Sequence, residues 1–194
     1  MGKTKYKKDV EEFLKKSPVV NFSSIDRIVK SKKNVKGYTK QLIRNLVKQD
    51  KMKPIVKGYY TSFDDPSLAV LCFDGYLGLQ NALSHHEIWE QETIPIIVTP
   101  KKARQGIRKI LGFNVQIRRI SPKYFFGFEY MKDGDFYLPF SNVEKTFIDM
   151  IYFNQKIDKE VLKNFKKRIN KKKLKNYLEK YPEKMKKRVL KQVE

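Results

Sequence analysis

Residues 38–61 read YTKQLIRNLVKQDKMKPIVKGYYT, and this stretch decides how the N-terminal part of the chain folds. Four apolar side chains in its first half recur at helical spacing: Leu42, Ile43, Leu46 and Val47. This spacing predicts a helix over about residues 38–49 with one buried face. The second half, residues 52–61, holds two β-rich runs around Lys57-Gly58, a pattern typical of a hairpin. The stretch therefore predicts a helix followed by a hairpin.

Two amphipathic segments precede this stretch. Residues 5–16 carry apolar side chains on one helical face and lysines on the other. Pro18 ends that helix, because the residue before a proline is pushed out of the helical region. Asn21 and its neighbours offer N-cap side chains, and residues 25–29 continue with a second apolar stripe. Three helices followed by a hairpin is the element order of a winged helix-turn-helix, which we predict over residues 1–62.

The basic charge of the chain is concentrated at its two ends. Residues 1–62 hold 17 Lys+Arg against 5 Asp+Glu, and residues 155–194 hold 16 against 5. The middle, residues 63–154, holds 10 against 11. Two basic segments around a neutral middle favour a protein that presents cationic surfaces to a polyanion. Because the first basic segment is also the predicted winged helix, double-stranded DNA is the expected partner.

The exposed side of the third helix carries residue types that suit a DNA contact. A helix that enters the major groove needs polar side chains of several lengths, surrounded by cations that meet phosphates. We expect four residues to contact base edges: Tyr38, Thr39, Gln41 and Arg44. We expect five lysines to contact phosphates: Lys36, Lys40, Lys48, Lys53 and Lys57. Tyr59, in the predicted wing, is the remaining candidate for a DNA contact.

Residues 63–194 have the mixed pattern of an α+β domain that ends in basic helices. Three of their segments favour helices: Leu68–Phe73, residues 77–90 and the basic residues 101–108. Three more favour strands: Ile94–Thr99, Val115–Ile120 and Tyr124–Tyr130. Asp133-Gly134 is a strong hairpin signal. Ser141, with Glu144 three positions on, predicts a capping box for a helix over about residues 142–153.

The chain offers no constellation typical of catalysis or metal binding. His85 and His86 are adjacent on a predicted helix and point in different directions, and no cysteine pair supports zinc. Glu144 and Asp149 lie five positions apart, not on one helical face. No glycine-rich phosphate loop or catalytic triad pattern is visible. We therefore expect no enzymatic activity, no catalytic residues, no metal and no cofactor.

The composition favours a cytoplasmic location without a membrane anchor. No apolar run approaches the roughly 18 residues of a membrane span, and no apolar signal core follows the basic N-terminus. Cys72 is the single cysteine, so no intramolecular disulfide can form, which is typical of a reducing compartment.

Three stretches together resemble a known family. They are the predicted helix-turn-helix that ends in IVKGYYT at residues 55–61, the segment YLGLQNALSHHEIWEQ at residues 76–91, and SNVEKTFIDMIYF at residues 141–153. The matching positions in the last two are Tyr76, Leu79, Ala82, Leu83, His86, Glu144, Lys145, Asp149 and Tyr152. In this order and spacing they resemble the antitoxins of AbiE-type (type IV) abortive-infection systems, also described as transcriptional regulators of viral defence.

The resemblance implies an autorepressing regulator. In this family the winged helix binds operator repeats upstream of its own operon. The second domain counteracts a nucleotidyltransferase-like toxin without forming a stable complex with it.

Three alternatives stay open at this point. An RNA-binding accessory protein would use the lysine-rich surface and the aromatics at residues 124–128. A metal-dependent nuclease of a defence system would depend on Glu144 and Asp149. A pure interaction module would show no affinity for nucleic acid at physiological salt.

Overall fold

Helices and two β-sheets make up the chain, which is described by a computed structural model over residues 5–30 and 37–193. The predicted α+β class is therefore confirmed. The chain divides into two units: Met1–Cys72 with Lys109–Phe113, and Phe73–Arg108 with Asn114–Glu194.

The first unit contains the three predicted helices and the predicted hairpin, with one short strand before the second helix. Its elements are α1 Lys5–Lys16, β1 Val20–Asn21, α2 Phe22–Lys30, α3 Tyr38–Lys48, β2 Lys53–Val56 and β3 Tyr59–Thr61. The strands pair antiparallel in the order β1-β3-β2. A 3₁₀ helix, Pro66–Cys72, follows and contacts β2, so this unit extends past the boundary that we predicted after residue 62.

One apolar core joins the helices of the first unit. Its buried side chains come from α1, β1, α2, α3 and the start of the hairpin: Val10, Leu14, Val20, Ile25, Val29, Leu42, Ile43, Leu46 and Met52. Burying a side chain of this size stabilises the folded state by roughly 1.5–3 kcal/mol relative to leaving it exposed to water. Val47 was expected on the buried face of α3 but is 36% exposed. It follows Leu46, and one residue turns a helix by about 100°, so Val47 lies at the edge of the apolar stripe.

The second sheet has six strands of mixed direction. They are β4 Tyr76–Leu77, β5 Ile96–Thr99, β6 Gly106–Ile110, β7 Phe113–Arg119, β8 Phe128–Asp133 and β9 Phe136–Ser141. Their order is β6-β7-β5-β4-β9-β8. β5 is parallel to β7 and β4 is parallel to β9, whereas β4 and β5 are antiparallel. The predicted hairpin at Asp133-Gly134 is confirmed, because it joins β8 to β9 with Asp133 opposite Phe136.

Two helix predictions in this region are wrong in extent or type. Residues 101–108 form a loop and the start of β6, and Gly106 has a φ of 112°, outside the helical region. Of residues 77–90, only Gln80–His85 are helical, as α4. Leu77 instead pairs with strands β5 and β9, and Glu87 has a φ of 53°, which ends the helix. Residues 76–77 are held by β5 and β9, which lie far away in the chain, whereas β6 lies at the sheet edge beside β7, the strand that follows it.

Helix α5, Val143–Tyr152, runs through the interior of the second unit. Every residue from Glu144 to Ile151 is buried. Three C-terminal helices pack against α5: α6 Lys159–Arg168, α7 Lys171–Leu178 and α8 Glu183–Val193. Across the described ranges, no helix combines the length and the apolar character needed to cross a membrane.

The N-terminus of α5 differs from the predicted capping box. The N-cap is Asn142, not Ser141, and its side chain accepts a hydrogen bond from the Lys145 backbone N–H at 3.1 Å. Glu144 does not complete the box. Its carboxylate accepts from the Asn170 backbone N–H at 2.8 Å and lies 3.5 Å from the ammonium of Lys173. Glu144 therefore fastens the start of α7 to α5.

A charged pair lies in the centre of the second unit. Lys145 and Asp149, one helical turn apart on α5, form an ion pair in which both side chains are 0% exposed. Tyr76 of β4 donates a hydrogen bond to Asp149 Oδ2 at 2.6 Å, and Lys145 Nζ donates to the Tyr181 hydroxyl at 3.3 Å. Burial lowers the pKa of Lys145 and raises the pKa of Asp149, while the opposite charge beside each counteracts its shift. We call these four residues the buried charged cluster.

The buried charged cluster predicts a non-additive pattern of stability. Lys145→Met leaves Asp149 as an unpaired buried charge and should lower the free energy of unfolding by about 3–5 kcal/mol. The double variant K145M/D149L removes both charges and should lose less than K145M alone, because no isolated charge remains. Urea unfolding followed by circular dichroism measures both. A double variant that loses as much stability as K145M, or more, would contradict the coupling.

Candidate nucleic-acid interface

Helix α3 presents two rows of polar side chains to solvent. Lys40, Arg44 and Lys48 follow one another at one-turn spacing and form a row of cations. Gln41 and Asn45 form a row of amides beside it, and Gln41 Nε2 donates to Asn45 Oδ1 at 3.1 Å. All five side chains are exposed. We call this surface the α3 polar face.

The cations of the α3 polar face are available for an external partner. Within residues 5–30 and 37–193, none of them forms an ion pair with a carboxylate. Two acidic side chains of α1 and α2 pair with other lysines: Glu11 lies 2.8 Å from Lys51, and Asp26 lies 2.7 Å from Lys30. The positive potential along α3 is therefore not neutralised by the described part of its own unit.

Two residues predicted to read bases point elsewhere at the start of α3. Thr39 is 5% exposed, and its hydroxyl donates to Asp26 Oδ1 at 2.7 Å. Hydrogen bonds from Lys30 and Thr39 lower the pKa of the Asp26 carboxyl. Tyr38 is half-buried and packs edge-on against the ring of Tyr6, with centroids 5.6 Å apart. Both side chains position α3 against the preceding helices.

The three residues of the hairpin that were predicted to contact DNA differ in how exposed they are. Lys53 is engaged within the chain, because its ammonium lies 2.7 Å from Asp64 and 3.8 Å from Asp50. The hydrogen bond to Asp64 raises the pKa of Lys53. Lys57 is exposed at the turn, where Gly58 adopts a φ of 81°. Tyr59 is half-buried in β3, opposite Asn21.

The structure therefore brings together part of the predicted set. Lys40, Gln41, Arg44 and Lys48 share one surface, and Lys57 is exposed on the hairpin of the same unit. Lys36 lies outside the described residues. Asn45 is a member of this surface that the predicted contact set omitted. Its position four residues after Gln41 is the signal that identifies it, because that spacing places two side chains on one face of a helix.

The aromatic run proposed as an RNA-stacking surface is packed into the second unit. Tyr124 is buried in a 3₁₀ helix, Pro122–Tyr124, and stacks on Tyr181 with ring centroids 4.2 Å apart. Phe125 and Phe128 stack on Tyr76 at 5.6 and 5.3 Å. Tyr124 is buried and the Phe125 and Phe128 rings are half-buried against the same core, so the aromatic run that favoured RNA takes part in packing within this unit.

The carboxylates considered for a nuclease have structural partners. Asp149 belongs to the buried charged cluster, and Glu144 holds the start of α7. His86 Nε2 lies 2.6 Å from the Ser141 carbonyl oxygen, and the His85 ring stacks on Phe140 at 3.9 Å. In the described ranges, no three His, Cys, Asp or Glu side chains are grouped closely enough to hold a metal ion.

Comparison with known proteins shows a likeness of fold to a solved structure. No protein-family model matches this sequence, and no curated protein gives a significant match. The crystal structure of the RV2827C protein from Mycobacterium tuberculosis is similar, with a TM-score of 0.63 over 97% of this chain and 76% of that chain. Sequence identity is 14%, so the likeness concerns the fold alone.

The contact between Thr39 and Asp26 predicts a stability effect at the start of α3. Thr39→Val keeps the shape of the side chain but removes the hydroxyl that donates to Asp26. It should lower the thermal unfolding midpoint by roughly 2–4 °C. Lys40→Ala, at the exposed neighbouring position, is the matched control and should leave the midpoint unchanged. Equal midpoints for T39V and the unmodified chain would return Thr39 to the set of candidate DNA contacts.

Proposed function

We propose that the first unit is a winged helix-turn-helix and that the protein is a sequence-specific, double-stranded DNA-binding transcriptional regulator. The α3 polar face carries this proposal. It combines unpaired cations with amides on one exposed face of a helix, and a two-stranded hairpin with Lys57 at its turn belongs to the same unit. The strand order β1-β3-β2 is the arrangement expected of a wing that pairs with a short strand before the second helix.

The residues of the α3 polar face suit distinct parts of a DNA site. Arginine pairs bidentately with guanine, and asparagine or glutamine pairs bidentately with adenine. We therefore assign base contacts to Arg44, Gln41 and Asn45. Lys40, Lys48 and Lys57 are point charges at exposed positions and are assigned to phosphates. Thr39 and Lys53 are assigned to holding the unit together, because their polar atoms are already bonded to Asp26 and Asp64.

We further propose that the regulator is the autorepressing antitoxin of an AbiE-type system and acts in the cytoplasm. The support is the resemblance of the sequence motifs, together with where their residues lie. Tyr76 comes from the second motif, and Lys145 and Asp149 come from the third. Their side chains meet in the buried charged cluster. The two motifs thus describe one core, as expected if they specify a common domain. The expected partners are operator repeats upstream of its own operon and, functionally, a nucleotidyltransferase-like toxin.

A binding titration with DNA tests the regulatory function. At about 150 mM salt, the unmodified chain should prefer DNA from just upstream of its own gene over scrambled DNA by at least roughly 100-fold, a threshold set below the ~1,000-fold or more that is typical of specific binders. Arg44→Ala should reduce this preference by roughly 1–3 kcal/mol, because it removes a bidentate base contact. Lys15→Ala removes one exposed charge from the end of α1 and is the matched control. It should change affinity for both DNAs equally.

The outcomes separate the alternatives. Equal binding to upstream and scrambled DNA would contradict sequence-specific regulation. Stronger competition by structured RNA than by duplex DNA would favour the RNA-binding alternative. An R44A variant with full preference would remove that residue from the base-reading set.

A further inference from the structure

In the neutral middle of the chain, residues 63–154, acidic and basic side chains are separated along the sequence. Residues 63–100 contain six acidic and no basic side chains, whereas residues 101–123 contain eight basic and no acidic ones. Residues 124–154 contain five acidic and two basic side chains. The middle is thus neutral only as an average, and it holds one compact basic stretch.

This basic stretch differs in kind from the rest of the chain. The chain has 8 arginines against 35 lysines, yet four of the arginines lie in residues 101–123: Arg104, Arg108, Arg118 and Arg119. Arginine carries a planar fork that matches two phosphate oxygens, whereas lysine is a point charge. A cluster of arginines in a lysine-rich protein points to phosphate recognition rather than to general solubility.

The loop before β6 and the first residues of β6 form an open groove of about 670 Å³. Its lining residues belong to the second unit: Arg104, Gln105, Gly106, Ile107 and Arg108. We call it the arginine groove. Gly106 is exposed, has a φ of 112° and has no atom within 4 Å of where a Cβ would lie, so the backbone itself is open to a ligand. Ile107 is 63% exposed beside it.

Interactions within the second unit hold the groove in place. The Arg108 guanidinium lies over the ring of Phe73, 5.8 Å from its centroid, and donates to the Arg104 carbonyl oxygen. Gln105 Oε1 accepts from the Arg119 backbone N–H at 3.1 Å, which fastens the loop to the end of β7. These contacts restrict the loop and the Arg108 side chain before any ligand arrives, which lowers the entropic cost of binding.

The positive charge of the groove is not neutralised within the described residues. Lys101 pairs with Asp74, but Arg104, Arg108 and Arg119 form no ion pair with a carboxylate in that part of the chain. Arg104 and Arg119 are exposed. A groove with two guanidinium groups, an open backbone and no carboxylate is complementary to phosphodiester groups.

We propose that the arginine groove is a second DNA contact, in which Arg104 and Arg108 bind phosphates of the duplex backbone. This inference rests on the proposed function for the choice of duplex DNA as the polyanion. The groove contributes affinity but does not read sequence, because phosphates carry no base identity. Specificity remains with the α3 polar face.

The test compares the salt dependence of binding to upstream and scrambled duplexes. The full-chain variant R104A/R108A should weaken binding to both by roughly 10-fold at 150 mM salt and lower the slope of log affinity against log salt by about 2. The ratio between the two DNAs should stay the same. K132A/K156A removes two exposed lysines of the second unit outside the basic stretch and is the matched control. It should change the slope by less than the arginine variant does.

A charge-preserving variant separates phosphate binding from folding. R104K/R108K keeps both cations but loses the planar fork, so it should keep most of the slope and still bind several-fold more weakly. Thermal unfolding of each variant identifies any loss of DNA affinity that comes from a loss of stability. If R104A/R108A is destabilised, the binding of R104K/R108K decides the test.

The outcomes distinguish this inference from the proposed function. A clear preference for upstream DNA with an unchanged slope in R104A/R108A would overturn the groove and leave the regulator standing. No preference, with a lower slope in R104A/R108A, would support the groove and overturn sequence-specific regulation. If the arginine variant and its lysine control lose the same affinity and the same slope, the proposal for the groove fails, because only total charge would matter. If R104A/R108A loses affinity for structured RNA but not for duplex DNA, the assignment of the groove to duplex DNA fails.

Discussion

The ion pair between Lys145 and Asp149 is the constraint on which the second unit depends. Removing two charges from water costs several kcal/mol per ion, and their mutual attraction compensates only if further hydrogen bonds satisfy them. Tyr76 and Tyr181 supply those bonds from β4 and from the connection between α7 and α8. The sheet and the C-terminal helices must therefore converge on α5. Gly127 is part of the same arrangement, because a Cβ there would lie 3.0 Å from the Lys145 Cβ and 2.9 Å from the ring of Tyr177.

In the first unit, helix α3 is held in place on one side and exposed on the other. Leu42, Ile43 and Leu46 bury one side of the helix in the apolar core. Thr39 fastens its first turn to Asp26 of α2, and the α3 polar face is left without internal carboxylate partners in the described ranges. The base-reading role that we propose for α3 requires this division, since base contacts are specific only when the helix cannot shift to suit another sequence.

Some cations of the protein are paired with carboxylates of the same chain and others are not. Lys53 and Lys145 form ion pairs with Asp64 and Asp149, respectively. The row Lys40, Arg44 and Lys48 makes no ion pair with a described carboxylate. Net charge alone does not separate these groups, because a paired and an unpaired lysine count equally. It is the unpaired cations that release counterions when a polyanion binds, so they govern the affinity of such a surface.

The sequence by itself determined the features that depend on near neighbours. The helical spacing in α1, α2 and α3, the Lys57-Gly58 turn and the Asp133-Gly134 hairpin all follow from residues within a few positions of one another. The same spacing put Lys40, Gln41, Arg44 and Lys48 on one face. Only the tertiary structure decided which polar side chains are occupied, because the partners lie far apart in the chain. Thr39 is engaged by Asp26, Lys53 by Asp64 and Asp149 by Tyr76. Likewise, residues 76–77 form a strand because the distant strands β5 and β9 satisfy their backbone groups, a long-range condition that local periodicity does not contain.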